Sequence, residues 1–262
     1  MKKSLAKIYT FFIFFFLYAP ILVLIIFSFN NSKSTAAWSG FSLRWYSELF
    51  KDKSIMKALY YTVLCAVLSS AIATVFGTIT AYGIHHLRRR PKKILLAVNN
   101  IPLLNPDIVT GISLMALFSA LAVLRFKLGF TTMLIAHIAF NVPYVILSVL
   151  PKLAQMPDDT VNAAMDLGAT PFYAFRKVVL PEIQPGIITG AIMAFTMSID
   201  DFVISYFTAG VGVTNLSIKI YTMARRGIKP SINALSTLMF IAVLVLLLLV
   251  NKYSDDKEQL MS

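Results

Sequence analysis

Asn162-Ala163-Ala164-Met165-Asp166-Leu167-Gly168, followed after nine residues by Val178-Val179-Leu180-Pro181, lies between two long apolar runs, and the rest of the chain is read outward from it. Pro157-Asp158-Asp159-Thr160 predicts a helix start, with acids near the positive end of the helix dipole. Val161, Ala164, Met165 and Gly168 follow at helical spacing, and Ala163 with Ala164 leaves a narrow surface. Gly168 suits a left-handed cap that ends the helix. Thr170-Pro171 then opens a second helix with Pro171 in its first turn. Phe172, Phe175, Val178 and Val179 supply an apolar stripe, and Leu180-Pro181 leads into the next apolar run. Residues 157–181 therefore predict a helix–turn–helix unit. By itself such a unit is either an interfacial hairpin without a partner or a docking element.

The composition sets the solvent. Of 262 residues, 58% are apolar and 14% charged, against about 25% charged in an ordinary soluble domain. An integral membrane protein is expected, and mean hydropathy of +0.75 agrees. Six apolar stretches near 8–29, 57–84, 94–123, 129–150, 183–208 and 231–250 reach the roughly 20 helical residues that cross a bilayer. The first exceeds the roughly 7–15 apolar residues of a secretion signal, so an uncleaved helix is expected despite a weak cleavage-like Ser34-Thr35-Ala36. No linker or short-period repeat divides residues 1–262, which read as a single domain.

The net charge of +12 comes from basic residues between the apolar runs. That arrangement suits anionic lipid headgroups and topology control, whereas nucleic-acid binding needs a continuous basic face. The basic segment His85-His86-Leu87-Arg88-Arg89-Arg90-Pro91-Lys92-Lys93 and the N-terminal lysines fall on one side if there are six spans. The positive-inside rule makes that side cytoplasmic, with 157–181 and both termini. Lys33, Arg44, Lys51, Lys53, Arg125, Lys127, Lys219, Arg225, Arg226 and Lys229 then lie outside. Pro102, Pro106 and Gly111 are expected to interrupt the third span, Pro143 the fourth, and Pro185, Gly186 and Gly190 the start of the fifth. Phe41–Phe50 reads as an amphipathic interfacial helix, with Trp45 and Tyr46 at headgroup level.

Acids inside apolar spans are costly and invite a functional reading. There are three: Asp107, and the pair Asp200-Asp201. No Lys or Arg lies in the same spans. Successive helical residues are about 100° apart, so Asp200 and Asp201 cannot point the same way. The acids pair with a partner's basic residues, cap broken helices (Asp107 after Pro106 fits a cap), or attract a cation along a low-dielectric path. Phe195, Phe202, Tyr206 and Phe207 could add cation–π contacts.

Other chemistries find no support. Cys65 is the single cysteine and reads as a small core residue, His137 stands alone in the fourth span, and no metal-ligand spacing occurs. No G-x-x-x-x-G-K-[ST] loop is present, so ATP is not hydrolysed by this chain. A secondary transporter would also carry membrane acids, but with internal repeats, more spans and no 157–181 unit.

The 162–181 segment resembles the coupling loop of ABC-importer permeases, written E-A-A, three residues, G, nine residues, I-x-L-P. Asn162 stands in place of the usual Glu and Val178 in place of Ile. Ser28-Phe29-Asn30, Trp45-Tyr46, Asn105-Pro106-Asp107-Ile108-Val109, Ser198-Ile199-Asp200-Asp201-Phe202-Val203-Ile204-Ser205, Lys219-Ile220-Tyr221 and Asn233-Ala234-Leu235-Ser236-Thr237 extend the likeness almost end to end. They resemble the second permease subunit of spermidine/putrescine importers, although related permeases carry iron, thiamine or sulfate.

The resemblance implies an all-α integral membrane fold of the ABC type I importer class, with six transmembrane helices and a cytoplasmic coupling helix between spans 4 and 5. It implies a multi-pass inner or plasma membrane protein working by alternating access. The implied partners are an ATP-binding cassette ATPase dimer that holds ATP and Mg, a second permease in a heterodimer, and an extracytoplasmic polyamine-binding protein. Asn162, Ala163, Ala164, Asp166, Gly168, Leu180 and Pro181 would couple to the ATPase, with Asp166 one turn beyond the missing Glu. Asp107, Asp200, Asp201 and Tyr206 would line the substrate path. No catalytic residue, metal site, cofactor or nucleic-acid partner is implied for this chain.

Overall fold

Bare backbone polar groups are not tolerated in hydrocarbon, so a chain this apolar crosses a bilayer as helices or as a closed barrel. Helices are what it forms. The structure is a computed structural model that describes residues 2–32, 37–121, 127–157, 159–225 and 230–260. Ser34-Thr35-Ala36, Lys33, Arg125, Asp158, Arg226 and Lys229 fall outside the described residues.

The helices are α1 (Lys2–Ser28), α2 (Arg44–Lys51), α3 (Lys53–His85), α4 (Arg89–Leu104), α5 (Asp107–Ala120), α6 (Phe130–Gln155) and α7 (Asp159–Asp166). After them come α8 (Pro171–Ala174), a π-helical turn (Phe175–Val179), α9 (Leu180–Glu182), α10 (Gln184–Asp200), α11 (Val203–Thr208), α12 (Leu216–Arg225) and α13 (Pro230–Leu260). Among the described residues, Lys7–Ser28, Lys53–His85 and Phe130–Gln155 are each long and apolar enough to cross a membrane. Two bent pairs also qualify if each is one span: α4 with α5, bent by 103°, and Pro171–Glu182 with α10, bent by 69°. Pro230–Val245 is a shorter apolar stretch.

The breaks fall partly where the prolines point and partly elsewhere. The expected 94–123 span is divided at Asn105-Pro106, because proline donates no hydrogen bond and disfavours helix in the residue before it. Pro143, by contrast, sits within the unbroken α6. Pro185 occupies the first turn of α10, where a missing N–H costs nothing. The expected interruption at the start of the fifth span is the 69° bend at Ile183, beside Pro185, whereas Gly186 and Gly190 lie inside α10. A further break, not expected from the sequence, comes at Asp201-Phe202, between α10 and α11.

The described chain gathers into two compact units, Met1–Lys57 with Ile218–Val245, and Ala58–Ser217 with Leu246–Ser262. In the first, the Trp45 indole N–H donates to Asn30 O at 2.6 Å and the Tyr46 hydroxyl meets Ser28 Oγ at 2.7 Å. Trp45 is therefore buried against the protein, and an indole with a backbone partner inside loses no hydrogen bond on burial. Lys219-Ile220-Tyr221 lies in α12, and Lys219 Nζ donates to Ser54 Oγ at 2.8 Å.

The second unit has a core of Ala73, Ala81 and Ile84 from α3, Val145, Ile146, Val149 and Leu153 from α6, then Val179, Ile183 and Ala194. Glycine lets α6 and α10 approach closely. A Cβ on Gly186 would lie 2.7 Å from Ser148 O, and one on Gly190 3.1 Å from Val145 Cα. Small residues at such seams are the usual means of close helix packing in lipid. Cys65 is buried and free.

Candidate functional site: a docking unit and a charged helix break

The 157–181 unit, the candidate docking element, is built by its caps. Gly168 has φ +88°, Ala169 N donates to Ala164 O at 3.1 Å and Gly168 N to Met165 O at 2.9 Å. This is a Schellman motif, which satisfies the last carbonyls of α7. Thr170 then caps α8, its hydroxyl oxygen accepting from Tyr173 N at 3.3 Å, and Pro171 takes the first helical position. The π-helical turn closes with Leu180 N donating to Phe175 O, immediately before Pro181. Phe175 packs edge-on against Tyr82 of α3, ring centroids 4.8 Å apart.

One face of this unit is bare. Leu167 is 91% exposed and Phe172 73%. A shallow groove of about 460 Å³ is lined by Ala164, Leu167, Gly168, Ala169, Thr170 and Tyr173. A second hollow of about 560 Å³ is bordered by His85, His86, Asn162 and Met165. Asn162, Ala163 and Asp166 are exposed, Ala164 half-buried, and Leu180 and Pro181 exposed. The sequence-derived coupling residues are divided among α7 (Asn162, Ala163, Ala164 and Asp166), the turn at Gly168 and α9 (Leu180 and Pro181).

The acids separate. Asp107 opens α5 and is exposed. The turn there is closed by backbone, Val109 N and Thr110 N donating to Pro106 O at 2.9 and 3.2 Å. Asp200 ends α10 with its residue exposed, and its carbonyl accepts from Ser217 Oγ at 3.3 Å. Asp201 turns inward, its side chain 9% exposed. Its Oδ1 accepts from Ile204 N at 3.1 Å and its Oδ2 from Ser205 N at 2.7 Å. It thus satisfies the free N–H groups at the start of α11, and the capping role expected of Asp107 belongs to Asp201. Tyr206 is half exposed in α11 and packs at a tilt on Phe202, ring centroids 5.4 Å apart. α5 and α11 pack so closely that a Cβ on Gly111 would stand 2.9 Å from Phe207 Cδ2.

Sequence reading missed what Asp201 faces. His137 Nε2 of α6 lies 3.4 Å from Asp201 Oδ2 and 2.9 Å from Ser205 Oγ. Its Nδ1 lies 3.1 Å from Ser198 Oγ. Asn141 Nδ2 donates to Ser198 Oγ at 2.8 Å and Ser69 Oγ at 3.3 Å. His137 and Asn141 recur at i, i+4 in an apolar helix, and that spacing was the available signal. Ser, His and Asp here do not form a hydrolytic centre. Ser198 is buried and its hydroxyl is shared among His137, Asn141 and Ser69. Among the described residues no group of three His, Cys, Asp or Glu could hold a metal.

Comparison with known proteins follows the same lines. Residues 73–257 match the family described as "Binding-protein-dependent transport system inner membrane component". The chain is 36% identical over 245 residues to the spermidine/putrescine transport system permease protein PotC of Escherichia coli (strain K12), covering 94% of this chain and 92% of PotC. It is 41% identical over 234 residues to the putrescine transport system permease protein PotI of the same strain, covering 88% of this chain and 83% of PotI. Its fold is similar to a chain in the crystal structure of a bacterial alginate ABC transporter with an alginate pentasaccharide-bound periplasmic protein. There the TM-score is 0.74 at 16% identity, over 96% of this chain and 93% of that one.

Proposed function

The chain belongs to the binding-protein-dependent transport system inner membrane component family, and from that premise we propose that it is the permease of an ATP-driven polyamine importer. It is a transport subunit, not an enzyme, and ATP is used by a separate partner. The polyamine reading is supported by PotC and PotI, whose names specify spermidine and putrescine. The observation that carries it in the structure is the uncovered acid at the α10–α11 break.

The reading assigns the exposed face around Asn162, Ala163, Ala164, Asp166, Gly168, Leu180 and Pro181 to the ATPase dimer. The apolar side chains Leu167 and Phe172 give that contact its area. Asn162 supplies hydrogen bonding where the family pattern has a charge. Asp200, Asp107 and Tyr206 offer carboxylates and a ring to an alkylammonium chain. An extracytoplasmic binding protein delivers the polyamine, a second permease completes the path, and ATP-driven closure of the ATPases moves the 157–181 unit. The two compact units make up one permease domain with six spans and both termini in the cytoplasm.

Labelled putrescine and spermidine uptake tests this in cells carrying the whole transporter. The wild type takes up polyamine, and Asp200→Asn reduces uptake at least tenfold, a scale set by losing one charge contact at low dielectric. Membrane levels and ATPase recovery should stay unchanged. A wild-type transporter that moves neither polyamine removes the substrate assignment.

A further inference from the structure

The α10–α11 break places two carboxylates side by side, and the chain treats them differently. Asp201 is drawn inward while Asp200 remains exposed. Two backbone N–H groups cap Asp201, but they leave a carboxylate with little contact to solvent, and such a group is costly without a further partner. His137 is that partner, contributed by a different helix. Its ring does more than meet the acid. Nδ1 reaches Ser198, which precedes the break, and Nε2 reaches Ser205, which follows it. One imidazole thus fastens both sides of the interruption.

The fastening is itself anchored. Asn141, one turn along α6, donates to the same Ser198, and Ser69 of α3 meets Ser198 at 2.8 Å. On the far side, Asn215 Nδ2 donates to the Asp201 carbonyl at 2.9 Å. A break without such ties would hinge at Phe202 and turn Asp201 outward beside Asp200. Two adjacent like charges would then share one site.

We propose that His137 is a positioning residue for the cation path: it holds Asp201 inside across the α10–α11 break, so that Asp200 alone is presented outward. The proposal rests on the polyamine reading only in taking the substrate as a cation. His137 need not touch the substrate.

The test uses the whole transporter in membrane vesicles, with Cys65 kept because it lies against His137 and is buried. The Asp200→Cys variant is labelled with a quaternary-ammonium methanethiosulfonate, and modification of this chain is read by mass. Adding His137→Ala is expected to raise the labelling rate by about tenfold or more, because Asp201 then stands beside the thiol and attracts the cationic reagent; a slower rate overturns the proposal. His137→Gln, which still hydrogen-bonds serine hydroxyls, falls between. In the chain retaining Asp200, His137→Ala raises the putrescine KM more than it lowers the maximal rate, and Asp201→Asn added to it causes little further loss.

Equal labelling rates with and without His137 overturn the proposal, as do additive effects of the two substitutions. If His137→Ala fails to assemble, His137→Gln and Asp201→Asn carry the comparison. Loss of assembly in all three makes the cluster a folding determinant alone and also overturns it. Absence of polyamine uptake by the wild type would sink the substrate reading while leaving the labelling result to decide the role of His137.

Discussion

A single methyl group tests how α6 meets α10. A Cβ at Gly186 would fall 2.7 Å from Ser148 O, which is backbone and cannot swing aside. Gly186→Val therefore forces the helices apart, at a cost of about 1–3 kcal/mol. The expected outcome is a lower Tm for the purified complex, while Gly83→Ala, whose added carbon meets nothing within 4 Å, leaves it unchanged. At this scale the sequence was half legible. Asp107, Asp200 and Asp201 stood out because charge in an apolar run is expensive. Their neighbours did not, because His137 and Asp201 meet only when α6 packs against the α10–α11 break. Gly186 and Gly190 were misread for a similar reason: a glycine that admits a neighbouring helix looks, in one dimension, like one that bends its own.

The docking unit shows the opposite balance. Its turn depends on local chemistry, so Gly168 as a left-handed cap and Thr170-Pro171 as a helix start were readable from the residues and stand in the structure. The π-helical turn before Pro181 was not anticipated, because a wide turn has no side-chain pattern of its own. Gly168→Ala places a side chain at φ +88°, a conformation that costs an ordinary residue about 1 kcal/mol relative to glycine. Because the unit is short and exposed, the effect is expected in docking more than in global stability. ATPase subunits should co-purify less completely with the variant and polyamine uptake should fall, while the membrane level of this chain is retained. Unchanged co-purification would separate the Gly168 turn from ATPase contact.

For the molecule as a whole, charge placement sets the orientation. The Arg88-Arg89-Arg90-Pro91-Lys92-Lys93 segment opens α4 and is mostly exposed, and in the proposed topology the positive-inside rule places it in the cytoplasm with the docking unit. Because the lone Cys65 is buried, a reporter thiol is easy to introduce. Phe172→Cys with Cys65→Ala should react with a membrane-impermeant maleimide in inside-out vesicles and not in right-side-out ones; the reverse pattern would invert the topology. Overall helix content and the order of apolar segments were legible, since each needs only composition and length. The bends of 103° and 69° were not, because an angle depends on what the second helix packs against.

The glycine seam between α6 and α10 has a mechanical meaning. Gly186 and Gly190 admit the opposing backbone at Ser148 and Val145, with the Lys152 stem and Met193 beside the seam. The elbow of 69° joins the docking unit to that seam, and the far end of α10 is fastened by His137. A push on Leu167 is therefore received by a crank with little play. Under the proposed coupling to an ATPase, displacement at the docking face would be carried along α10 toward Asp200.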